Sequence, residues 1–364
     1  MQLKALTTFL ETLAPLAYQE SYDNSGLITG DSSREVTAAL VCLDSTEEII
    51  DEAIKRKCNL VIAHHPIVFS GLKKLTGRNY IERTVIKAIR NDIAIYAIHT
   101  NLDNVYQGVN AKICQKLGLK NPRILSPKKN LFRKLVTYAP TAHAEKVRQA
   151  MCDAGAGNIG KYDQCSFNNT GIGTFRAGPD AKPFSGKVGE LHREEETRIE
   201  VFFEAIREKA ILAALMSSSP YEETAYDVYV LENEHSQVGS GMVGELESPL
   251  DEKDFLNLLK TTFHTRGLRH TRLTGKKISR VSVCGGSGSF LLNDAIASDS
   301  DAFVTADYKY HQFFDADGKI LLADVGHYES EQFTKELIFE VIREKFPTFA
   351  IHLSEINTNP VNYL

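Results

Sequence analysis

The chain has 364 residues, of which 43% are hydrophobic and 24% charged, and a formal net charge of -5. That length suits two or three ordinary domains, and that balance is the balance of a soluble globular protein. An acidic chain with no run of ~18 apolar residues argues against a membrane-spanning protein and against a whole-chain nucleic-acid binder.

Leu3, Leu6, Leu10 and Leu13 open the chain at helical spacing. Lys4 and Glu11 interrupt them, so the segment lacks the apolar core of a signal peptide. Asp23-Asn24-Ser25-Gly26-Leu27 reads as a turn entering a strand. From 38 to 120 strands and helices alternate. Ala38 to Leu43 is a short apolar strand, and Ser45, with Glu48 three residues on, marks a capped helix start. Asn59 to Ala63 is the next strand, followed by a helix near 80–91, a strand at 93–98 and a helix ended by Gly118. Such alternation implies a largely parallel sheet covered by helices.

The middle changes character. Strands at 134–139, 164–176, 197–203 and 225–231, with helices at 142–154 and 204–216, give the order β-α-β-β-α-β of the ferredoxin-like unit. Glu194-Glu195-Glu196 reads as a solvated turn. After Gly239 and Gly241 the α/β pattern returns, with a helix around Phe255 to Leu259 and strands at 278–284, 302–305, 320–325 and 349–353. One helix is expected from Tyr328 to about Glu344. The fold class is therefore α/β: a three-layer α/β/α core built from 1–127 and 239–364, with a ferredoxin-like α+β domain at 128–238 inserted between them.

The six cysteines, Cys42, Cys58, Cys114, Cys152, Cys165 and Cys284, form no Cys-x-x-Cys pair, and most sit in apolar runs. That pattern points to free thiols in a reducing cytoplasm.

Chemistry gathers at strand ends, where sites in open α/β sheets lie. His64 and His65 end one strand, and Pro66 biases His65 towards an extended conformation. Asp103 follows another, in the polar loop His99-Thr100-Asn101-Leu102-Asp103. His327 and Glu331, at i and i+4, follow a third and share one side of a helix turn. Each piece has a plainer account: a core and a surface histidine, a capped turn, a solvated helix start. Their shared position after strands of one sheet favours a site. Imidazoles with carboxylates suit Zn, Fe, Mn, Co or Ni, and five ligands with two carboxylates fit two divalent ions better than one. His99 is either a ligand or a partner that orients one.

Gly285-Gly286-Ser287-Gly288-Ser289 is expected to be a turn opening a helix, its amides either holding a phosphate or packing closely on neighbours. Gly286 and Ser287 are accordingly substrate-binding candidates, with Asp307, Tyr308 and His311 after the next strand. The basic stretch His264 to Arg280 reads as a solvated linker and strand edge rather than a polyanion site. No Gly-x-Ser-x-Gly elbow and no His-Glu-x-x-His helix is present, so neither residue set names a nucleophile or a metalloprotease.

Asp23-Asn24-Ser25-Gly26-Leu27, Ala63-His64-His65-Pro66, His99-Thr100-Asn101-Leu102-Asp103, Gly285-Gly286-Ser287-Gly288, Ala306-Asp307 and Gly326-His327-x-x-x-Glu331 together resemble the GTP cyclohydrolase 1 type 2 homologues, also called the Ngg-interacting-factor-like family. The stretch from Ala154 to Phe167 resembles the inserted domain of the longer bacterial members, itself similar to PII and CutA-type proteins. The resemblance implies a dinuclear centre on His64, His65, Asp103, His327 and Glu331, and a homohexameric ring. It also implies hydrolysis of a purine nucleotide with ring opening and release of formate. The competing readings are a metallophosphoesterase and a non-enzymatic ring that stores or delivers metal.

Overall fold

The computed structural model describes every residue from Met1 to Leu364. Short strands with both faces apolar set its frame, because a strand buried on both sides needs covering layers. The N-terminal stretch runs α1 (Leu3–Leu13), β1 (Gly26–Thr29), β2 (Ala38–Cys42), α2 (Glu47–Lys55), β3 (Leu60–Ala63), α3 (Tyr80–Arg90), β4 (Ala94–Ala97), α4 (Thr100–Asp103), α5 (Val109–Leu117) and β5 (Lys120–Pro127). The middle runs β6 (Phe132–Pro140), α6 (Ala144–Asp153), β7 (Ser166–Arg176), β8 (Leu191–Glu204), α7 (Glu208–Ser218) and β9 (Tyr226–Leu231). The remainder is β10 (Gly239–Leu250), α8 (Glu252–Thr262), β11 (Arg269–His270), β12 (Ile278–Ser287), α9 (Leu292–Ala297), β13 (Ala302–Ala306), β14 (Leu321–Asp324), α10 (His327–Glu331), α11 (Thr334–Lys345) and β15 (Ala350–Leu353).

Two compact units emerge, Met1–Pro127 with Ser236–Leu364, and Lys128–His235. The first holds two sheets, not the single one expected. One has the order β1-β4-β3-β2-β15 and the other β11-β14-β13-β12-β10-β5. Each half of the chain lends a strand to the other's sheet. β15 pairs in parallel with β2, and β5 pairs antiparallel with β10. The expected core around one sheet is corrected accordingly: α11 packs on β2 and β15, α5 on β10 and β12, and the two helices on each other. The three ligand-bearing segments thus follow strands of two sheets, β3 and β4 in one, β14 in the other.

The second unit is an antiparallel sheet of order β7-β8-β6-β9, with α6 and α7 contributing Val147, Met151, Ile211 and Leu215 to a core against Leu135, Ile199, Val201 and Phe203. β8 begins at Leu191, so Glu194, Glu195 and Glu196 are strand residues paired with β7, not a turn.

Local departures have physical causes. The α2 cap is Thr46, which accepts from the Ile49 amide, rather than Ser45. The expected helix after β14 is two, α10 and α11, with Gln332 and Phe333 between them. Gly285, Gly286 and Ser287 belong to β12, and only Ser289 starts a helical turn. No helix is long and apolar enough to cross a membrane.

Candidate metal centre

β3 ends at Ala63, and the next two residues turn their rings into the same space, 4.9 Å apart between centroids. His64 is fully buried, and its Nδ1 donates to the Ile98 carbonyl at 2.8 Å. A carbonyl can only accept, so Nδ1 carries a proton and Nε2 is the nitrogen left to face the carboxylates. That Nε2 lies 3.6 Å from Asp103 Oδ1 and 3.8 Å from Glu331 Oε2. Both His64 Nε2 and Asp103 Oδ1 are buried without a hydrogen-bond partner. A buried ring nitrogen and a buried carboxylate oxygen left without partners are costly unless a cation or proton joins them.

The other rings repeat the arrangement. His65 Nδ1 donates to Asp44 Oδ1 at 2.7 Å, and its Nε2 is 2.9 Å from Glu331 Oε2. His327, first residue of α10, donates from Nδ1 to Asp307 Oδ2 at 2.7 Å. Its Nε2 is 3.1 Å from Glu331 Oε2 and 3.4 Å from His65 Nε2. His99 donates from Nδ1 to Asp23 Oδ1 at 2.8 Å, and Asp23 is itself fixed by Ser25 and by the Thr100 amide and hydroxyl. Four imidazoles are thus each gripped at Nδ1 by an acceptor. Such outer partners are what orient metal-ligating histidines. Three trios have ligand atoms within 4.8 Å of one another: His64, His65 and His99; His65, His327 and Glu331; His64, Asp103 and Glu331.

Charge in the cluster is mutually arranged. Burial pushes the Asp103 carboxyl up to about 7, aided by the negative Glu331 beside it. Burial acts against protonated His65, but Glu331 and Asp44 outweigh it and raise the ring to about 10. Glu331 is the main cause that lifts His327, to about 11, against the opposing effect of burial. Burial also works against the Glu331 carboxylate, yet His327 and His65 hold it well below the ordinary range. Metal-free, the cluster must retain protons to balance its carboxylates. Divalent ions would do the same with a donor set of imidazole nitrogens and carboxylate oxygens, which suits borderline transition metals.

Gly286 lets Glu331 come close. It holds φ +61, and a Cβ there would lie 2.3 Å from Glu331 Oε1. The amides of Gly285 and Gly286 donate to Asn110 Oδ1 and Ser330 Oγ. These two amides are therefore committed to packing, one of the two alternatives the run left open. A cavity of about 930 Å³ opens onto the centre, walled by residues that follow strands of both sheets.

His64, His65, Asp103, His327, Glu331 and His99 are brought together. Asp307 holds His327, and Ser287 lines the cavity. Tyr308 is instead 2% exposed in an apolar cluster with Phe303 and Leu322, and His311 is exposed away from the cavity lining. Arg269 pairs with Asp324, Lys277 with Asp251 and Arg280 with Glu245, so half of the basic stretch serves local ion pairs. Sequence reasoning missed Asp44 and the role of Asp23. Asp44 stands two residues past the end of β2, so the strand-end rule that found the histidines also points to it.

A sequence model described as Duf34/NIF3 (NGG1p interacting factor 3) matches residues 1–360. A Bacillus subtilis protein named GTP cyclohydrolase 1 type 2 homolog is 37% identical over 360 residues, covering 97% of this chain and 96% of that one. A relative of the same name from Staphylococcus aureus is 31% identical and covers 100% of both chains. The crystal structure of a Bacillus cereus protein related to NIF3 superposes with a TM-score of 0.82 at 35% identity, covering 100% of this chain and 99% of that one. With its fold and full length matched, the chain belongs to the Duf34/NIF3 family.

Proposed function

We propose that this protein is a metal-dependent hydrolase whose centre takes two divalent ions and acts on a purine-type ring. The observation that carries it is the buried, partnerless pair His64 Nε2 and Asp103 Oδ1, set among three further imidazoles held from behind by carboxylates. Six donor residues, with Glu331 shared between two of the trios, fit two ions better than one. Ions held there supply Lewis acidity, polarising the atom that water attacks.

The chain's own residues prepare that chemistry. Asp44, Asp23 and Asp307 fix the rings of His65, His99 and His327, so the donors need little reorganisation. Asp103 Oδ1, buried 3.6 Å from His64 Nε2, adds a carboxylate oxygen to the donor set. The name of the curated relatives supports a purine ring as substrate. The reading also carries the homohexamer, which light scattering at six chain masses checks.

The test is a formate assay on metal-loaded protein given guanosine, GMP and GTP, with product separation by chromatography. Ring-opened product and formate, both lost in Glu331→Ala, are expected. No turnover of any of the three above that variant refutes the hydrolase.

A further inference from the structure

The walls of the 930 Å³ cavity carry a charge pattern at odds with a polyphosphate ligand. Besides Asp103 and Glu331, the carboxylates of Glu20, Asp44, Asp307, Asp324 and Glu329 line it. Arg269 is the one lysine or arginine among the lining residues, and it is already paired with Asp324. Two divalent ions and Arg269 offset five of these seven negative charges, so the cavity stays anionic even when loaded. Of the lysines close in sequence to a wall residue, Lys112 pairs with Glu340, and Lys73 and Lys74 line a neighbouring pocket of about 350 Å³ that shares Phe69 with the cavity. A phosphate chain entering the cavity would meet like charge in a partly enclosed, low-dielectric space, where repulsion is strong.

The same walls offer flat apolar surface. Tyr22 and Phe69 stack on each other with centroids 6.1 Å apart and planes at 26°. They remain 63% and 48% exposed. Phe69 meets the His99 ring edge-on at 6.0 Å, so this ledge begins one ring away from the metal-ligand cluster. Phe290, following β12 of the other sheet, is 66% exposed on the same cavity. Large aromatic rings left open beside a polar centre are what recognise planar heterocycles, because every such ring has a face to stack.

We propose that the cavity takes a planar heteroaromatic ring as the free base or nucleoside, stacked on the Tyr22–Phe69 ledge, and discriminates against the corresponding nucleoside triphosphate. This rests on the hydrolase reading of the same centre, and narrows its substrate from a nucleotide to a ring without a phosphate chain. Tyr22 and Phe69 are positioning residues: they hold the ring within reach of the centre and ligate nothing.

The test is calorimetric titration of the metal-loaded full chain with guanosine, GTP and inorganic triphosphate, alongside Tyr22→Leu and Phe69→Leu. Guanosine is expected to bind at least about tenfold more tightly than GTP, and inorganic triphosphate to leave bound guanosine in place. Each leucine variant is expected to weaken guanosine binding about tenfold, the range that loss of one stacking partner produces, with metal content unchanged. GTP binding as tight as guanosine, displacement by inorganic triphosphate, undetectable guanosine binding, or full affinity in both variants each overturns the proposal. The two readings fail separately: guanosine bound as expected without formate release removes the hydrolase alone, and efficient turnover of GTP with guanosine ignored removes the ledge proposal alone.

Discussion

Gly286→Ala perturbs the centre without replacing a donor. The residue sits in β12 at φ +61, and its added Cβ would lie 2.3 Å from Glu331 Oε1, 3.1 Å from Glu331 Cδ and 3.2 Å from His327 Cε1. A carbon and an oxygen in ordinary contact keep roughly 3.2 Å or more, so Glu331 must move by about 1 Å. It cannot swing freely, since it is 3% exposed and held 2.9 Å from His65 Nε2 and 3.1 Å from His327 Nε2. Metal sites tolerate about 0.2 Å in ligand distance, so a drop of about 10- to 100-fold in metal affinity is expected, the scale of a lost outer-sphere partner. The left-handed backbone adds about 1–2 kcal/mol of destabilisation. Gly118→Ala is the control: it holds φ +70 with nothing within 4 Å of the added Cβ, so it carries the backbone cost alone. Elemental analysis after dialysis against graded chelator, with calorimetric melting of both variants, separates the two effects. Gly286→Ala that binds metal like Gly118→Ala would refute the placement of Glu331.

Other expectations follow from the same geometry. His65 at about 10 and His327 at about 11 are protonated in the metal-free protein at neutral pH, and ions bind the deprotonated rings. Metal uptake between pH 7 and 9 should therefore release about two protons, and affinity should rise by about two decades per pH unit; titration heats that do not vary with buffer ionisation enthalpy would contradict this. Asp44→Asn removes the charge that grips His65 and should cost about 10- to 100-fold in metal affinity, measured by chelator competition. Asp307→Asn should cost less, because the His327 pair is more exposed, at 40% and 47% against 21% and 33%. Asn79→Ala deletes the α3 cap, which accepts from the Glu82 amide at 2.8 Å. It should lower stability by about 1 kcal/mol and leave metal content unchanged, a pairing that denaturant melts and elemental analysis check together.

Much of the centre was legible because strand ends are legible. An apolar run closing on His64-His65-Pro66, or on His99, marks both the strand and the place where its chemistry must lie. The i, i+4 spacing of His327 and Glu331 likewise survives folding, in α10. Sheet membership was not legible. Apolar runs report burial but not which edge pairs with which, so β15 joining β2 and β5 joining β10 had no local signal. Tyr308 followed a strand as the ligands do, yet turned into the core: the strand-end rule locates a backbone, and side-chain direction depends on the turn beyond it. The Gly-rich run left packing and phosphate binding open for a related reason. Its glycines permit Glu331 and Asn110 to approach a strand, a requirement set by residues distant in sequence.

The central claim is that these six side chains hold two ions in one centre. Elemental analysis of protein purified without added chelator, comparing the unaltered chain with His65→Ala, tests it most directly. About two divalent transition-metal ions per chain, falling to one or none in the variant, is the expected result. A stoichiometry near zero after loading, or full content retained in His65→Ala, would contradict it.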